Sequence, residues 1–355
     1  MLFPESEYSI DERNIVRDER PQQLRQALKN AVASQPVDAL LLSGGIDSGM
    51  LAALDPQTPA ITVVLENQGV DLRNAQRVVN KLGITWYPIE IDEAEASSSL
   101  NELISLTHSY DPGILNDIPI YVGLKYAASR GMRTIRTEDA ADTLFAGYTY
   151  LYNQPNFRDY LRSLIPQIRL SSSQIGKLLG LNLKYPYLHP DVLNVAMSLD
   201  LQTNLADVET DNPGDFMENV VEKDIASSSK NKRWGKIVLR KAAQGLLPTE
   251  TIWRTKTDLE FGSGTYTLED RLKNEITDQE INDLRSEGKH FWNRMHAALY
   301  MKYKRAGLEP TPPQDGEYTC SWCGGGVITG RRHCHTCGGY PSNQYSMTLF
   351  EGNEL

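Results

Sequence analysis

The segment that most constrains this chain begins with an apolar run at residues 37–42. That run ends in Ser43-Gly44-Gly45-Ile46-Asp47-Ser48, after which Met50, Leu51, Ala52 and Leu54 recur at helical spacing. It reads as a buried strand turning directly into a helix, which is how a βαβ unit begins. Two adjacent glycines permit backbone angles that other residues avoid, and they let an anion approach the main chain closely. The helix start adds free N–H groups and a partial positive charge. Ser43 and Ser48 add hydroxyl donors. These features make a phosphate cradle, against which a tight strand-to-helix turn with a serine cap is the simpler reading. Asp47 is out of place beside an anion unless a divalent cation lies between carboxylate and phosphate. A Walker loop, Gly-x4-Gly-Lys-Ser/Thr, is absent, so the terminal phosphate lacks its lysine clamp. The cradle suits pyrophosphate as a leaving group better than transfer of the terminal phosphoryl.

The flanking pattern extends that unit into a sheet. Pro21 opens a helix that carries Leu24, Ala27, Leu28, Ala31 and Val32 along one side. Further strands are expected at 60–65, 84–91 and 132–136, with helices at 71–82, 100–107 and about 118–130. Strands and helices alternating at these lengths imply an α/β fold with a doubly wound, mainly parallel sheet. Beyond Asp142 the pattern reads as almost wholly helical to about Arg305, and three prolines within 308–316 mark a linker. The expected division is an N-terminal extension with the leading helix (1–36), a nucleotide-binding body (37–307), the linker (308–316), a cysteine module (317–341) and a tail (342–355).

Composition narrows the function classes. Hydrophobic residues make up 40% of the 355 and charged residues 23%, enough to bury a main body with a minor module beside it. Forty-six acidic against thirty-six basic residues give a formal charge of -10, which argues against broad affinity for nucleic acid. No stretch approaches the ~20 apolar residues of a membrane span, and the acidic N-terminus lacks the grammar of a secretory signal. The expectation is a cytoplasmic protein with no membrane partner.

All four cysteines fall in one short stretch, as Cys320-x2-Cys323 and Cys334-x2-Cys337, ten residues apart. Each pair is followed by two glycines, which let backbone N–H groups turn toward the sulfurs. This is a zinc-ribbon pattern, four thiolates closing a tetrahedral Zn2+ site. About thirty residues cannot fold on core burial alone, so the metal supplies the stability. An iron–sulfur site or a redox pair are the alternatives. Arg331, Arg332, His333 and His335 read as solubility of a small module, with a docking patch for RNA or an acidic protein as the sharper reading. Lys230, Lys232, Arg233 and Lys236 read as a solvated loop rather than one closing over phosphates. Tyr148, Tyr150 and Tyr152 read as helix packing, and Trp292 and Met295 as core.

The loop from Leu42 to Ser48 resembles that of the ATP pyrophosphatase (PP-loop) superfamily. Three later segments are similar to the synthetase domain of asparagine synthetases and their β-lactam synthetase relatives. Asp139-Ala140-Ala141-Asp142-Thr143-Leu144-Phe145-Ala146-Gly147-Tyr148 resembles that family's acidic stretch, and Tyr185-Pro186-Tyr187-Leu188-His189 its Val-Pro-Phe-Leu-Asp. Lys236 to Lys241, Leu247-Pro248, Arg254-Thr255-Lys256 and Phe261 to Gly264 resemble its C-terminal signature. The four motifs occur in the family's order over roughly residues 20 to 300. The resemblance implies an adenine nucleotide alpha hydrolase-like fold, with ATP and Mg2+ in the loop. Ser43, Gly44, Gly45 and Ser48 would hold pyrophosphate, Asp47 and Asp142 would be the magnesium ligands, and Val63, Val64 and Leu65 would offer their backbone to adenine. Asp139 would lie near the acceptor and Lys256 would face the α-phosphate, where attack by a carboxylate builds negative charge.

The reaction so implied is an AMP-forming amide ligation: a small-molecule carboxylate becomes an acyl-adenylate, which ammonia or an amine then cleaves. Glutamine-using members carry a catalytic cysteine at the mature N-terminus, whereas Leu2 follows Met1 here and no cysteine precedes Cys320. Nitrogen is therefore expected as ammonia, as an amine, or from a separate amidotransferase partner. Asp139 and Thr143 stand where the family has glutamates and His189 where it has aspartate, which puts aspartate as the acceptor in question. Two alternatives stay open. One is a PP-loop ligase acting on RNA or another carboxylate gripped by the ribbon, and the other a nucleotide-binding adaptor with a vestigial ATP site.

Overall fold

A computed structural model of the protein describes residues 18–209 and 231–343. The first seventeen residues of the expected extension, the serine run with Lys230, and the tail from 344 onward lie outside the described residues.

Five strands form the central sheet: β1 (Ala39–Leu41), β2 (Ala60–Leu65), β3 (Trp86–Ile91), β4 (Thr134–Arg136) and β5 (Asn182–Lys184). Their order is β3-β2-β1-β4-β5 and every pairing is parallel. The sequence of β2, Ala-Ile-Thr-Val-Val-Leu, is buried at all six positions, as a strand covered on both faces requires. Side chains alternate between two cores. Ala39, Ile61, Val63 and Leu65 enter one, while Leu40, Leu42 and Ala60 enter the other. Truncating Leu40, which is fully buried, to alanine would cost about 2–5 kcal/mol.

Helices α1 (Arg20–Ser34), α2 (Ile46–Leu54) and α3 (Asp71–Leu82) supply the second core, and α4 (Glu93–Thr107) and α5 (Ile114–Ser129) the first. Pro21 occupies the first turn of α1, whose five expected apolar residues are all buried. Asp92 caps α4 by accepting a hydrogen bond from Glu95 N at 2.7 Å, so that helix starts a full two turns before the expected position. The chain leaves β1 for β2 on one side and later returns to β4 on the other. The carboxyl ends of β1 and β4 therefore diverge, which opens a crevice at the topological switch point.

The region after Asp142 is less uniformly helical than its pattern suggests. It contains β5, and also an antiparallel pair, β6 (Ala206–Glu209) with β7 (Asn231–Trp234). At three residues on the sheet edge, β5 is too short to show a period of two. The cysteine module holds a second antiparallel pair, β8 (Glu317–Thr319) with β9 (Gly326–Ile328). The module is welded to the body. Tyr110 N donates to Thr336 O at 2.8 Å, and the Trp322 ring packs 4.4 Å from that of Trp292. Trp292 is thus a half-buried contact with the ribbon, whereas Met295 is in the core. Among the described residues no helix is long and apolar enough to cross a membrane.

Candidate active site

The loop after β1 is built from its own hydroxyls. Ser43 N donates to Ser48 Oγ at 3.1 Å, the two hydroxyls lie 3.0 Å apart, and Gly45 N donates to Ser43 Oγ at 3.2 Å. Gly44 adopts φ +73°, and a Cβ there would collide with the backbone of Ala75 in α3, so this turn accepts only glycine. Ser43 Oγ also donates to Glu138, 3.3 Å away across the crevice at the end of β4. Asp47, in the first turn of α2, is buried, and Tyr187 donates to its carbonyl oxygen at 2.9 Å.

Two lysines close the crevice. Lys236 Nζ lies 2.5 Å from Asp47 Oδ2 and 2.6 Å from Asp142 Oδ1. Lys256 Nζ lies 3.3 Å from Asp142 Oδ2 and over the ring of Tyr148. Lys236 is 2% exposed and holds a left-handed φ of 61°, so the solvated-loop reading fails for it: the positive φ turns the side chain inward beneath Gly147. A Cβ at Gly147 would collide with both Asp142 and Lys236. Burial raises the Asp47 carboxyl above its ordinary value, against the pull of Lys236. For Asp142 burial is outweighed by Lys236 and Lys256, which hold it below the usual range. Burial opposes the Lys256 charge, but Asp142 and Asp47 prevail and raise it. Glu138 is pushed up to about 7 by burial and by Asp47.

The metals implied by the sequence can be tested against this geometry. Asp47 Oδ1 is buried without a hydrogen-bond partner, a free hard-oxygen donor of the type magnesium takes. Asp142 and Glu138 border the same crevice. The donor set fits. At the ribbon, the four buried cysteine sulfurs lie within 4.8 Å of one another. Cys320 and Cys337 are 3.8 Å apart, as are Cys323 and Cys334. A tetrahedron with zinc–sulfur bonds of ~2.3 Å has edges of about 3.8 Å. A four-iron cubane, with each thiolate on a different iron, would hold the sulfurs further apart. Trp322 N, Gly325 N and Gly339 N point at the sulfurs of Cys320, Cys323 and Cys337 from 3.4, 3.3 and 3.4 Å.

The crevice continues into a cleft of about 1260 Å³. Ser43, Val63, Asp139, Asp142 and Lys256 line it, while Gly45 and Asp47 line the adjoining pocket beneath the loop. Gly44 packs on α3, Ser48 lies under the loop, and the side chains of Val64 and Leu65 are buried. Asp139 accepts from Thr137 Oγ1 at 2.5 Å and from Ser172 Oγ at 2.9 Å, and burial raises its carboxyl. His189 lies elsewhere, capping the helix Pro190–Ser198. Tyr148 and Tyr152 pack against the second core, as the packing reading expects, whereas Tyr150 is exposed. All three border the cleft, Tyr148 just before and Tyr150 and Tyr152 within a short 3-10 segment, with the Tyr148 and Tyr150 rings stacked at 5.4 Å. Sequence reasoning missed Lys236, Glu138 and Asp117 as members of the site. For Lys236 a signal existed, since a lysine between Gly235 and the apolar run Ile237-Val238-Leu239 is poorly placed for solvent. His333 and His335 also border the cleft.

A doubly wound parallel sheet with a serine–glycine loop at its switch point defines an α/β protein of the PP-loop ATP pyrophosphatase class, with an adenine nucleotide alpha hydrolase-like fold. The chain belongs to the asparagine synthase family, whose model matches residues 21–180 and 158–312. It is 25% identical over 299 residues to asparagine synthetase B (glutamine-hydrolyzing) of Escherichia coli (strain K12), covering 76% of this chain and 49% of that protein. With asparagine synthetase (glutamine-hydrolyzing) 1 of Arabidopsis thaliana it shares 25% identity over 293 residues, 74% of this chain and 46% of the relative. The chain therefore spans about half the length of the curated relatives it matches. Among solved structures it is similar to NMN synthetase from Francisella tularensis, at 18% identity, 83% coverage of this chain, 97% of that chain and a TM-score of 0.35, a likeness too slight to add to the assignment. The family match ends before the ribbon.

Proposed function

We propose that the chain is an AMP-forming amide ligase that activates a small carboxylate with ATP and passes the acyl group to ammonia or an amine. The observation that supports it best is the placement of Lys256 against Asp142, across the switch point from a phosphate loop without a Walker lysine. Ser43, Gly44, Gly45 and Ser48 hold the leaving pyrophosphate through hydroxyls and the free N–H groups at the start of α2. Magnesium, bound by Asp47 and Asp142, would neutralise charge on that leaving group. Lys256 stabilises the charge that builds on the α-phosphate as the carboxylate attacks. Val63, Val64 and Leu65 offer the backbone of β2 to the adenine.

Asp139, fixed by Thr137 and Ser172, takes a proton from the attacking amine, a task its raised carboxyl suits. Zinc in the ribbon is structural. The amine nitrogen arrives as ammonia, as a free amine or from a partner amidotransferase. Asparagine formation from aspartate is the first acceptor to try.

The test is to incubate the protein with ATP, magnesium and ammonium and to screen carboxylates for release of pyrophosphate and AMP. ADP and orthophosphate as products would overturn the reading. Lys256→Met is expected to lower the rate about 10²–10³-fold, as for loss of a preorganised transition-state charge.

A further inference from the structure

Arg240, in the helix Ile237–Ala243, is 3% exposed and makes no ion pair with a carboxylate among the described residues. Its guanidinium is spent on backbone carbonyls instead. Nε donates to Gly235 O at 2.9 Å, while Nη1 donates to Ile252 O and, at 3.3 Å, to Arg254 O. The rings of Trp234 and Trp253 lie 4.8 and 5.7 Å from the guanidinium carbon, and meet each other edge to face at 5.8 Å. Burial pushes the group down to about 10, so it stays charged at neutral pH. Burying a charge carries a desolvation cost that an apolar side chain of similar volume avoids. What the fork holds together therefore matters.

It holds the two segments that carry the lysines of the crevice. Gly235 immediately precedes Lys236, and Ile252 and Arg254 lie just before Lys256. Apart from Arg240, these segments are anchored in different places. The first leans on the acidic stretch: Lys236 N donates to Phe145 O at 2.9 Å, and a Cβ at Gly235 would collide with Ala146 O. The second leans on α3, where Arg254 donates to Asp71 at 2.9 Å. Yet both lysines converge on Asp142, Lys236 at 2.6 Å and Lys256 at 3.3 Å. A rigid planar fork that donates to both segments at once sets their separation, which an ammonium on a flexible stem does not.

We propose that Arg240 is a positioning residue, a clamp that keeps Lys236 and Lys256 in register on either side of Asp142. It acts through those lysines. Its consequence for rate rests on the amide-ligase reading, in which Lys256 meets the α-phosphate: a displacement of ~1 Å at such a group can cost about 10²-fold.

The experiment compares the full-length, metal-loaded protein with Arg240→Lys, which keeps the charge and loses the fork, and with Trp253→Leu, which keeps the fork and removes one ring. Each is given a short pulse of acetic anhydride, and acetylation is read lysine by lysine by mass spectrometry. The reagent attacks only a neutral, accessible amine. Lys236 is shielded by burial and Lys256 by its pairing with Asp142. Arg240→Lys is expected to raise labelling at both about tenfold, as for one lost charge-assisted hydrogen bond, and Trp253→Leu ~2–5-fold, as for one cation–π contact. Lys302, paired with Glu275, is the internal reference. Leu299→Ala, which opens a cavity in the first core, controls for lost stability and is expected to leave both lysines at the wild-type rate. In Arg240→Lys the affinity for the magnesium complex of α,β-methylene ATP should stay within about threefold, while pyrophosphate release falls ~10–100-fold. Wild-type labelling of either lysine in Arg240→Lys or Trp253→Leu, an equal rise in Leu299→Ala, or a nucleotide affinity that falls as far as the rate would overturn the inference. Labelling needs no turnover, so failure of every carboxylate to release pyrophosphate would defeat the ligase reading and leave the clamp standing.

Discussion

The two ends of the cleft hold their charges in opposite ways. At the nucleotide end, Lys236 bridges Asp47 and Asp142, and Lys256 backs Asp142 from the other side. Charge there is interlocked, buried and carried by segments far apart in sequence, so the fold itself sets the geometry. At the ribbon end Arg169 is exposed and the half-buried Arg331 donates to Gln167 O and meets His335, neither with a carboxylate partner among the described residues, and the module that carries Arg331 is gathered around four cysteines. One end is built by the core and the other by a module fastened to it. The difference separates how each end is held: a buried, interlocked frame of charge set by the fold, and a surface carried by a module docked on it.

The largest expected effect tests whether the ribbon end stands on its metal. Structural zinc contributes roughly 10–16 kcal/mol to small thiolate modules. Stripping it with a strong chelator is expected to melt residues 317–341 and raise their amide hydrogen exchange. Helices α1 to α3 and the loop keep their protection, because they belong to the opposite core. Atomic emission should return one zinc per chain before treatment. Loss of protection spread evenly over both cores would erase the contrast.

The second effect probes the interlocked end. Lys236→Met keeps the length of the side chain but leaves Asp47 and Asp142 facing each other without their shared cation. Breaking a buried pair in this way costs about 3–5 kcal/mol, read as a shift in the urea midpoint at unchanged slope. Adding Asp142→Asn should restore part of it. Arg169→Gln at the other end should move stability by no more than ~0.5 kcal/mol. A Lys236→Met variant as stable as the wild type would mean that the aspartates are solvated and that the ends do not differ.

What was legible beforehand follows the same divide between local and distant. The loop after β1 announces itself because strand, glycines, hydroxyls and helix are contiguous, and the cysteine knuckles do so because their spacing is short. The sheet class followed from alternation of apolar runs. The strand β5 did not, having one apolar residue, Leu183, between two polar ones. Lys236 reads as one of several basic loop residues until the fold carries it to Asp47, 189 positions away. The reach of the ribbon into the cleft depends on a docking surface made by Ser109, Tyr110 and Trp292, which no periodicity encodes. Pairings between distant polar side chains are fixed by topology, and single-sequence patterns carry no trace of them.

The smallest effect lies between the two ends, at Asp117 in the first turn of α5. Its carboxyl is pushed up to about 7 by burial and by the neighbouring Asp111 and Asp139, against a hydrogen bond from Ser171. An acid whose pKa is higher folded than unfolded binds more protons in the native state. Native stability therefore falls as pH rises from near 4 to near 7 and stays lowered above that. Three units would correspond to at most ~4 kcal/mol, and water in the open cleft brings this to roughly 1–3 kcal/mol. Asp117→Asn cannot ionise, so it is expected to exceed the wild type by that amount at pH 8 and to match it near pH 4. Glu138 titrates in the same window but is common to both proteins and cancels in the difference. A difference between variant and wild type that stays flat from pH 4 to 8 would show that Asp117 already has the solvation or the cation that the geometry denies it. The middle of the cleft would then resemble the interlocked end.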